Sequence, residues 1–230
     1  MEKYNDSIEH RMTGRHKRCM LLVGDINNKT ILDIGCSFGW FEKFAVKMDF
    51  KEIIAIDSDE EVLNQAKYQV HEKNVAFVNG SASDLSGFED DYFDCITMFD
   101  VIEHVPKNTE IMIFNEIKRV LKKDGLLFIS TPNKNFWSNL LDPAWYFGHR
   151  HYSKDKILEL LDRSGFQAIE TSIRGGFYEL FSMILLYIFK WGFRREMPLK
   201  RWWDKKRDTE YLTEKKGFVT LFLKSKKKNI

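Results

Sequence analysis

Two glycines, Gly35 and Gly39, follow a short apolar run and precede a helical pattern over residues 41–48. Glycine at the first position lets a ligand approach the backbone closely, and glycine at the second allows a helix to pack tightly on a strand. The start of the helix offers backbone N–H groups without partners. Asp57 ends the next apolar run, where its carboxylate can accept two hydrogen bonds from a ribose diol.

The residue types in this turn argue against a dinucleotide. A dinucleotide site has three glycines directly after the strand, whereas here the order is Asp33, Gly35, Ser37, Gly39. An acid two residues before the first glycine repels a pyrophosphate but suits a cationic ligand that carries an amino acid. S-adenosylmethionine has a sulfonium, an ammonium and a ribose diol, and we expect Asp33 or its neighbours to meet its amino-acid end.

The elements that must position these residues alternate along the chain. Apolar runs predict seven strands, at residues 30–34, 52–56, 75–78, 93–99, 126–131, 167–173 and 218–224. Most of them are apolar nearly throughout, as in strands that are covered on both faces. Helical patterns lie between them, at 60–71, 108–122 and 153–164. This order predicts βαβ units and a doubly wound, Rossmann-like sheet.

Five segments together resemble the small-molecule branch of the class I S-adenosylmethionine-dependent methyltransferases. They are ILDIGCSFGWF, AIDSDEEVLNQAK, FDCITMFDVIEHVP, GLLFISTPN and HYSKDKILELLDRSGF, and the resemblance covers roughly residues 15–173 and the last strand. It implies a single domain over residues 1–230 and a seven-stranded sheet in the order 3-2-1-4-5-7-6 with an antiparallel last strand.

The resemblance also implies a set of cofactor-binding residues. These are Asp33, Gly35, Cys36, Ser37, Gly39, Asp57, Ser58, Ser81, Ala82, Asp84, Phe99 and Asp100. The chain departs from the family pattern at two positions. Ser37 replaces a glycine, and Ser81 stands where an acid often meets the adenine amino group, so Ser81 or Asp84 would substitute for that acid. Phe99 and Asp100 would line the sulfonium side.

Asp100, Glu103 and His104 follow the fourth predicted strand, and three interpretations stay open for them. His104 is the first candidate for a general base that takes a proton from the acceptor hydroxyl. The three side chains together are candidate ligands for a divalent metal, as their resemblance to ubiquinone-biosynthesis O-methyltransferases implies. They are also candidates for a structural role. His151 is a further candidate base.

Residues 132–152 and 174–217 are predicted to form a lid. The first segment is rich in aromatic residues (Trp137, Trp145, Tyr146 and Phe147), which either line the acceptor pocket or pack against the second segment. Within the second, residues 177–193 are almost wholly apolar, and residues 194–207 combine seven Lys/Arg with Trp202 and Trp203. We expect either contact with an anionic membrane surface, or a buried cap or dimer face; nucleic acid is the least favoured partner.

Composition limits the remaining choices. Hydrophobic residues make up 43% and charged residues 30%, which excludes wholesale disorder. Three cysteines are too few for a disulfide framework and fit a reducing compartment. The predicted location is therefore the cytoplasm, or the cytoplasmic surface of a membrane if the lid contacts one. The first 18 residues contain no apolar signal segment.

The predicted activity is O-methylation of a small or lipid-linked acceptor such as a quinone precursor or a sugar, with S-adenosylhomocysteine as the second product. The alternatives are an RNA methyltransferase, although the N/D-P-P-Y signature is absent, and a non-catalytic protein that binds S-adenosylmethionine. The sequence leaves monomer and homodimer open.

Overall fold

The computed structural model describes residues 12–146, 148–213 and 216–228 of the chain. Within these ranges a seven-stranded sheet forms the centre of the protein. Its strands are β1 (Thr30–Ile34), β2 (Glu52–Asp57), β3 (Val75–Asn79), β4 (Phe93–Phe99), β5 (Leu121–Pro132), β6 (Phe166–Arg174) and β7 (Thr220–Lys227).

The strand order is β3-β2-β1-β4-β5-β7-β6, which confirms the predicted topology. Strands β1 to β5 pair in parallel, and β7 lies antiparallel between β5 and β6. All five residues of β1 are buried, as its continuous apolar sequence predicts for a central strand that is covered on both faces. The carboxyl ends of β1, β2, β3 and β4 therefore meet at one edge of the sheet.

Nine α-helices and one π-helical segment are found in the described residues. They are α1 (Gly14–Val23), α2 (Trp40–Ala45), α3 (Glu60–Gln69), α4 (Glu110–Val120), α5 (Phe136–Leu141), α6 (Pro143–Tyr146), α7 (Lys154–Arg163), α8 (Phe177–Tyr187), the π-helical segment Ile188–Phe193, and α9 (Lys200–Leu212). None of them is long and apolar enough to cross a membrane.

Several helices begin where the sequence supplies a capping side chain. The Asp59 carboxylate accepts hydrogen bonds from the Glu61 and Val62 N–H groups at the start of α3. Ser153 caps α7 in the same way, and Gly165, with a φ of +79°, follows its last turn. Ser153 and Gly165 were recognisable in the sequence because both caps are local.

The predicted lid segments contain α5, α6, α8 and α9; Phe147, which the prediction included, lies outside the described residues. Helix α9 packs against α1, and the Asp208 carboxylate accepts from the Gly14 N–H at 2.6 Å and from Lys17 Nζ at 2.8 Å. Arg207 Nε lies 2.5 Å from Glu179 Oε2 and joins α9 to α8. The second lid segment is thus bound to the N-terminal helix.

Candidate functional site

A cavity of about 410 Å³ opens at the carboxyl ends of β1, β2, β3 and β4. It collects seven of the twelve predicted cofactor-binding residues, together with the candidate base His104. The seven are Gly35, Ser37, Asp57, Ser58, Ser81, Ala82 and Asp100. The remaining lining is largely apolar and includes Ile34, Ile56, Val101 and Ile113.

The glycine turn is shaped by three residues with positive φ. Gly35 has a φ of +74°, and a Cβ atom there would lie 2.3 Å from Val101 Cγ2, so a side chain cannot be accommodated without movement. Gly39 has a φ of +73°, and a Cβ atom would lie 3.0 Å from the Ala66 Cβ on α3. Ser37 adopts a φ of +49° although it carries a side chain, so the departure from glycine is tolerated in a strained backbone.

Asp57 ties the turn to the end of β2. Its Oδ2 accepts a hydrogen bond from the Ser37 N–H at 2.9 Å, and its Oδ1 accepts from the Asp59 N–H at 3.0 Å. A carboxylate oxygen has more than one lone pair, so both oxygens can still accept from a ligand hydroxyl. The carboxylate is therefore held in place before any ligand binds.

The segment after β3 supplies the next part of the cavity wall. Ser81 and Ala82 line it, and the Ser81 and Ser83 hydroxyl oxygens lie 2.8 Å apart. Asp84 does not line this cavity. Its carboxylate turns to the Ser86 N–H at 3.1 Å, and hydrogen bonds from Ser86 lower its pKa. Of the two predicted substitutes for the missing acid, the structure brings Ser81 to the cavity and leaves Asp84 outside.

Asp100 sits at the opposite side of the cavity, directly after β4. It has a φ of +55°. The Ser130 hydroxyl donates to Oδ1 at 2.8 Å, and Arg15 Nη1 of α1 lies 3.0 Å from Oδ2. The carboxylate thus joins the end of β5 to the N-terminal helix.

Four predicted cofactor residues lie behind the cavity wall. Cys36 is fully buried, Gly39 packs on α3, and Phe99 packs on Trp40 and Phe41. The fourth, Asp33, is treated next. None of the four lines the cavity.

Asp33 is buried within β1 and is only 3% exposed. Thr97 Oγ1 donates to its Oδ1 at 2.5 Å. The Glu42 carboxyl of α2 is fully buried beside it. Burial raises the pKa of Asp33 to about 7 and raises that of Glu42 well above its usual range. Asp33 thus lies beside a second carboxyl group and does not line the cavity, whereas its neighbour Gly35 does.

The predicted metal ligands do not converge. Glu103 is buried, its Oε2 accepts from Thr131 Oγ1 at 3.0 Å, and burial together with the Asp100 charge raises its pKa well above the usual range. Asp100 is engaged by Ser130 and Arg15, while His104 is exposed on the cavity. Across the part of the chain that the structure covers, no group of three His, Cys, Asp or Glu side chains could hold a metal ion. This corrects the metal-site prediction: the side chains of adjacent loop residues diverge.

His104 meets a second histidine from the first lid segment. Its ring and that of His149 lie edge to face, with centroids 4.4 Å apart. Burial and the neighbouring His149 lower the pKa of His104. The imidazole is therefore neutral at neutral pH and can accept a proton, as a general base must.

His151, the other predicted base, is placed elsewhere. Its Nδ1 lies 2.9 Å from Asn139 Oδ1 and its Nε2 lies 3.1 Å from Asp142 Oδ2. Both ring nitrogens are thus engaged by the segment that contains α5. His151 lines a different cavity from that of Asp57 and His104. These contacts favour a role for His151 in ordering the first lid segment over a role in catalysis.

Arg150, which the sequence analysis missed, holds the loop after β4. Its guanidinium donates to the backbone carbonyls of residues 102, 103 and 105, and Nη1 lies 2.6 Å from Glu110 Oε1. Tyr152 donates to the same Glu110 oxygen at 2.8 Å, and the guanidinium lies over the Tyr152 ring. No local pattern marks Arg150, because its hydrogen-bond partners are forty or more residues away in the sequence.

The comparisons with known proteins agree with this geometry. Residues 32–129 match the family described as "Methyltransferase domain". This range begins in β1 and ends in β5, and so contains the glycine turn, Asp57, Asp100 and His104.

Two similar curated proteins are ubiquinone biosynthesis O-methyltransferases. The one from Neisseria meningitidis serogroup C is 31% identical over 114 residues, which cover 48% of this chain and 47% of that protein. The one from Hydrogenovibrio crunogenus is 33% identical over 118 residues, or 50% of this chain and 48% of that protein. The chain thus matches about half the length of these relatives.

A solved structure from Listeria monocytogenes, described as an S-adenosylmethionine dependent methyltransferase, superposes with a TM-score of 0.67 at 18% identity. The match covers 94% of this chain and 99% of that one. At this identity the likeness establishes the fold, and it extends the agreement beyond residues 32–129 to nearly the whole chain.

Proposed function

We propose that the protein is a class I S-adenosylmethionine-dependent methyltransferase that methylates a hydroxyl group of a small or lipid-linked acceptor, because residues 32–129 match the family described as "Methyltransferase domain". One observation carries this proposal: a single cavity at the carboxyl ends of four parallel strands brings together Gly35, Ser37, Asp57 and Asp100. The curated relatives are named as O-methyltransferases, which favours oxygen as the acceptor atom.

The described residues fit S-adenosylmethionine. Asp57 would accept hydrogen bonds from the ribose hydroxyls, and the backbone around Ser81 and Ala82 would border the adenine. The Asp100 carboxylate would face the positive sulfonium, where opposite charges attract. The bound cofactor would supply an electrophilic methyl group, and the chain would align it with the acceptor oxygen and exclude water.

His104 is the residue that we propose as proton acceptor. It borders the cofactor cavity, and burial beside His149 lowers its pKa, so that its neutral form predominates at neutral pH. As the new C–O bond forms, the hydroxyl proton would pass to the imidazole and then to solvent, which the exposed edge of the ring allows.

Calorimetric titration with S-adenosylhomocysteine tests the cofactor site. Asp57→Ala removes a charged hydrogen-bond acceptor, so its affinity should fall by about 10- to 100-fold. Asp49→Ala, at an exposed position between α2 and β2, is the matched control and should bind like the parent. Equal affinity of both variants would contradict the assignment of Asp57.

Transfer of a labelled methyl group from S-adenosylmethionine tests the reaction. Hydroxylated aromatics and lipid-linked sugars are the acceptors to screen, each with and without magnesium. Labelled product that a His104→Ala variant forms at least about 100-fold more slowly would support a general base. Cofactor binding without methyl transfer to any hydroxyl would indicate a non-catalytic protein that binds S-adenosylmethionine. Methyl transfer to RNA alone would indicate an RNA methyltransferase.

We also propose that the lid docks on an anionic membrane surface. Phe136 of α5 is 70% exposed, and Phe177 and Phe181 of α8 are 43% and 47% exposed. The Trp137 ring connects the two helices, because it lies 5.2 Å from that of Phe136 and 5.8 Å from that of Phe177. These four residues form the aromatic face.

Positive charge accompanies the aromatic face along the chain. Arg194 and Arg195 lie between the π-helical segment and α9, Lys200 and Arg201 begin α9, and all four are exposed. Other basic residues of the lid serve internal contacts, since Arg207 pairs with Glu179 and Lys206 lies over the Tyr178 and Trp202 rings. An exposed apolar face and exposed cations in the same lid suit the headgroup region of an anionic bilayer.

Flotation with phosphatidylglycerol vesicles tests membrane contact, with phosphatidylcholine vesicles for comparison. Phe136→Ser/Phe181→Ser removes two rings that the bilayer would bury. Burial of each ring would contribute about 1.5–3 kcal/mol to binding, so the double variant should bind at least tenfold more weakly. The matched control is Tyr68→Ser/Met112→Ser, two exposed apolar residues on α3 and α4. Failure of the parent to float, or a dimer that the first double variant dissociates, would contradict membrane docking.

A further inference from the structure

A second cavity, of about 600 Å³, lies beside the cofactor cavity, and its charge indicates what it binds. Residues that line it include Lys107, Lys134, Trp145, His149 and Lys156. Lys107 lies in the loop before α4, Lys134 follows β5, and Trp145 belongs to α6. His149 lies between α6 and α7, and Lys156 lies in the first turn of α7. We call this set of residues the lysine cavity.

The lysine cavity has a surplus of positive charge. The acid in its wall is Glu110, and Arg150 and Tyr152 already occupy the carboxylate of that residue. Lys107 and Lys134 have no salt bridge to any part of the chain that the structure describes. The third lysine, Lys156, pairs with Glu159, but both side chains are about half exposed, so this contact contributes little.

The two cavities share a wall. Pro106 lines the cofactor cavity, and the next residue, Lys107, lines the lysine cavity. His104 borders the first and His149 borders the second, with ring centroids 4.4 Å apart. A molecule that reaches past this histidine pair would present one end to the proposed base and another to the lysines.

We propose that the lysine cavity binds an oxyanion, a carboxylate or a phosphate, on the methyl acceptor. This inference rests on the proposed function and narrows its acceptor class to anionic molecules. Lys107 and Lys134 are both exposed, and they supply the charge, since an ammonium group attracts both kinds of anion. Trp145 supplies an apolar wall against which the body of the acceptor can pack.

Calorimetry of the full chain tests the proposal with two pairs of probes. 3,4-Dihydroxybenzoate is compared with catechol for a carboxylate, and phenyl phosphate with phenol for a phosphate. Each titration is carried out with and without saturating S-adenosylhomocysteine. The binding of S-adenosylhomocysteine is measured first. If S-adenosylhomocysteine does not bind, the proposed function is contradicted, and the titrations with the anionic probes still test the lysine cavity.

The decisive variant is Lys107→Gln/Lys134→Gln. It should bind the preferred charged probe at least about fivefold more weakly than the parent, and the uncharged partner equally well. The matched control is Lys73→Gln/Lys123→Gln, which removes the same charge from two exposed lysines near the amino ends of β3 and β5. It should leave both affinities unchanged.

Salt provides an independent check, because a contact between partly exposed charges weakens as the Debye length shrinks to about 3 Å near 1 M salt. Preference for one charged probe over the other identifies the carboxylate or the phosphate as the natural group. The proposal is overturned if neither charged probe binds better than its uncharged partner. Equal weakening by the decisive and control variants would also overturn it, because the effect would then be one of net charge.

Discussion

Arg15 Nη1 lies 3.0 Å from Asp100 Oδ2, so the N-terminal helix places a cation against the carboxylate at the end of β4. That carboxylate also accepts from Ser130 Oγ and lines the proposed cofactor cavity. The contact couples α1 to the point where we expect the sulfonium, and the charge of Asp100 is balanced before the cofactor binds.

The first prediction concerns this pair. Asp100→Asn leaves Arg15 as an uncompensated cation, so it should weaken S-adenosylmethionine more than S-adenosylhomocysteine, whose sulfur is neutral. Arg15→Gln/Asp100→Asn should bind S-adenosylmethionine more tightly than Asp100→Asn alone. Calorimetry of the parent, the two single variants and the double variant with both ligands gives the coupling free energy between Arg15 and Asp100. Equal losses for the two ligands would contradict the placement of the sulfonium at Asp100.

The second prediction concerns the loop that Arg150 holds. Arg150→Gln leaves the mostly buried Glu110 carboxylate without its cation, which should reduce the free energy of unfolding by about 2–4 kcal/mol. Denaturant unfolding measures this loss. Arg150→Gln/Glu110→Gln should recover part of it, because no buried charge then remains.

The same variant should affect ligand binding. Val105 and Pro106 line the cofactor cavity, and the Val105 carbonyl is one of the partners of Arg150. We therefore expect weaker binding of S-adenosylhomocysteine by Arg150→Gln under conditions where the protein remains folded. An unchanged affinity would show that the loop keeps its shape without the guanidinium.

The third prediction concerns the buried carboxyl pair of Asp33 and Glu42. Both pKa values are raised in the folded protein, to about 7 for Asp33, so the folded state holds protons that the unfolded state releases near pH 4. The free energy of unfolding must therefore fall as the pH rises from about 4 to 7. Burial of the charged form is the physical cause.

Glu42→Gln removes one of the two charges and can donate a hydrogen bond to Asp33. It should stabilise the protein at pH 8 by about 1 kcal/mol or more, since one pKa unit corresponds to about 1.4 kcal/mol. The gain should shrink toward pH 4. Thermal unfolding across this range measures it, with the exposed Glu72→Gln as the control. A gain that does not vary with pH would contradict a Glu42 carboxyl group whose pKa is raised by burial.

The fourth prediction concerns the glycine turn. Gly35→Ala should abolish ligand binding, because its Cβ would lie 2.3 Å from Val101 Cγ2 and its φ is +74°. Gly35→Ala/Val101→Gly removes the clash and leaves only the backbone strain, so it should recover part of the stability that Gly35→Ala loses.

Ser37→Gly, at a φ of +49°, should instead stabilise the protein by up to about 1 kcal/mol. A destabilised Ser37→Gly would show that the serine side chain contributes a contact that outweighs the strain.

Much of the fold could be predicted from the sequence alone. Ser153 marks a helix start because its cap is satisfied within three residues, and β1 is recognisable because a strand covered on both faces is mostly apolar. The family resemblance then implied the strand order that the structure has. Strand ends differed by a few residues, as for β5, which begins at Leu121 rather than at residue 126.

The site divides along the same line. That Gly35, Ser37 and Asp57 lie together could be predicted from the sequence, because the turn after β1 and the end of β2 are adjacent in any sheet of this order. Only the tertiary structure separated His104 from His151, turned Glu103 into the core, and brought Arg150 to the loop after β4. The direction of a side chain and the identity of a distant partner depend on packing between segments, and a linear pattern records only what lies within a few residues.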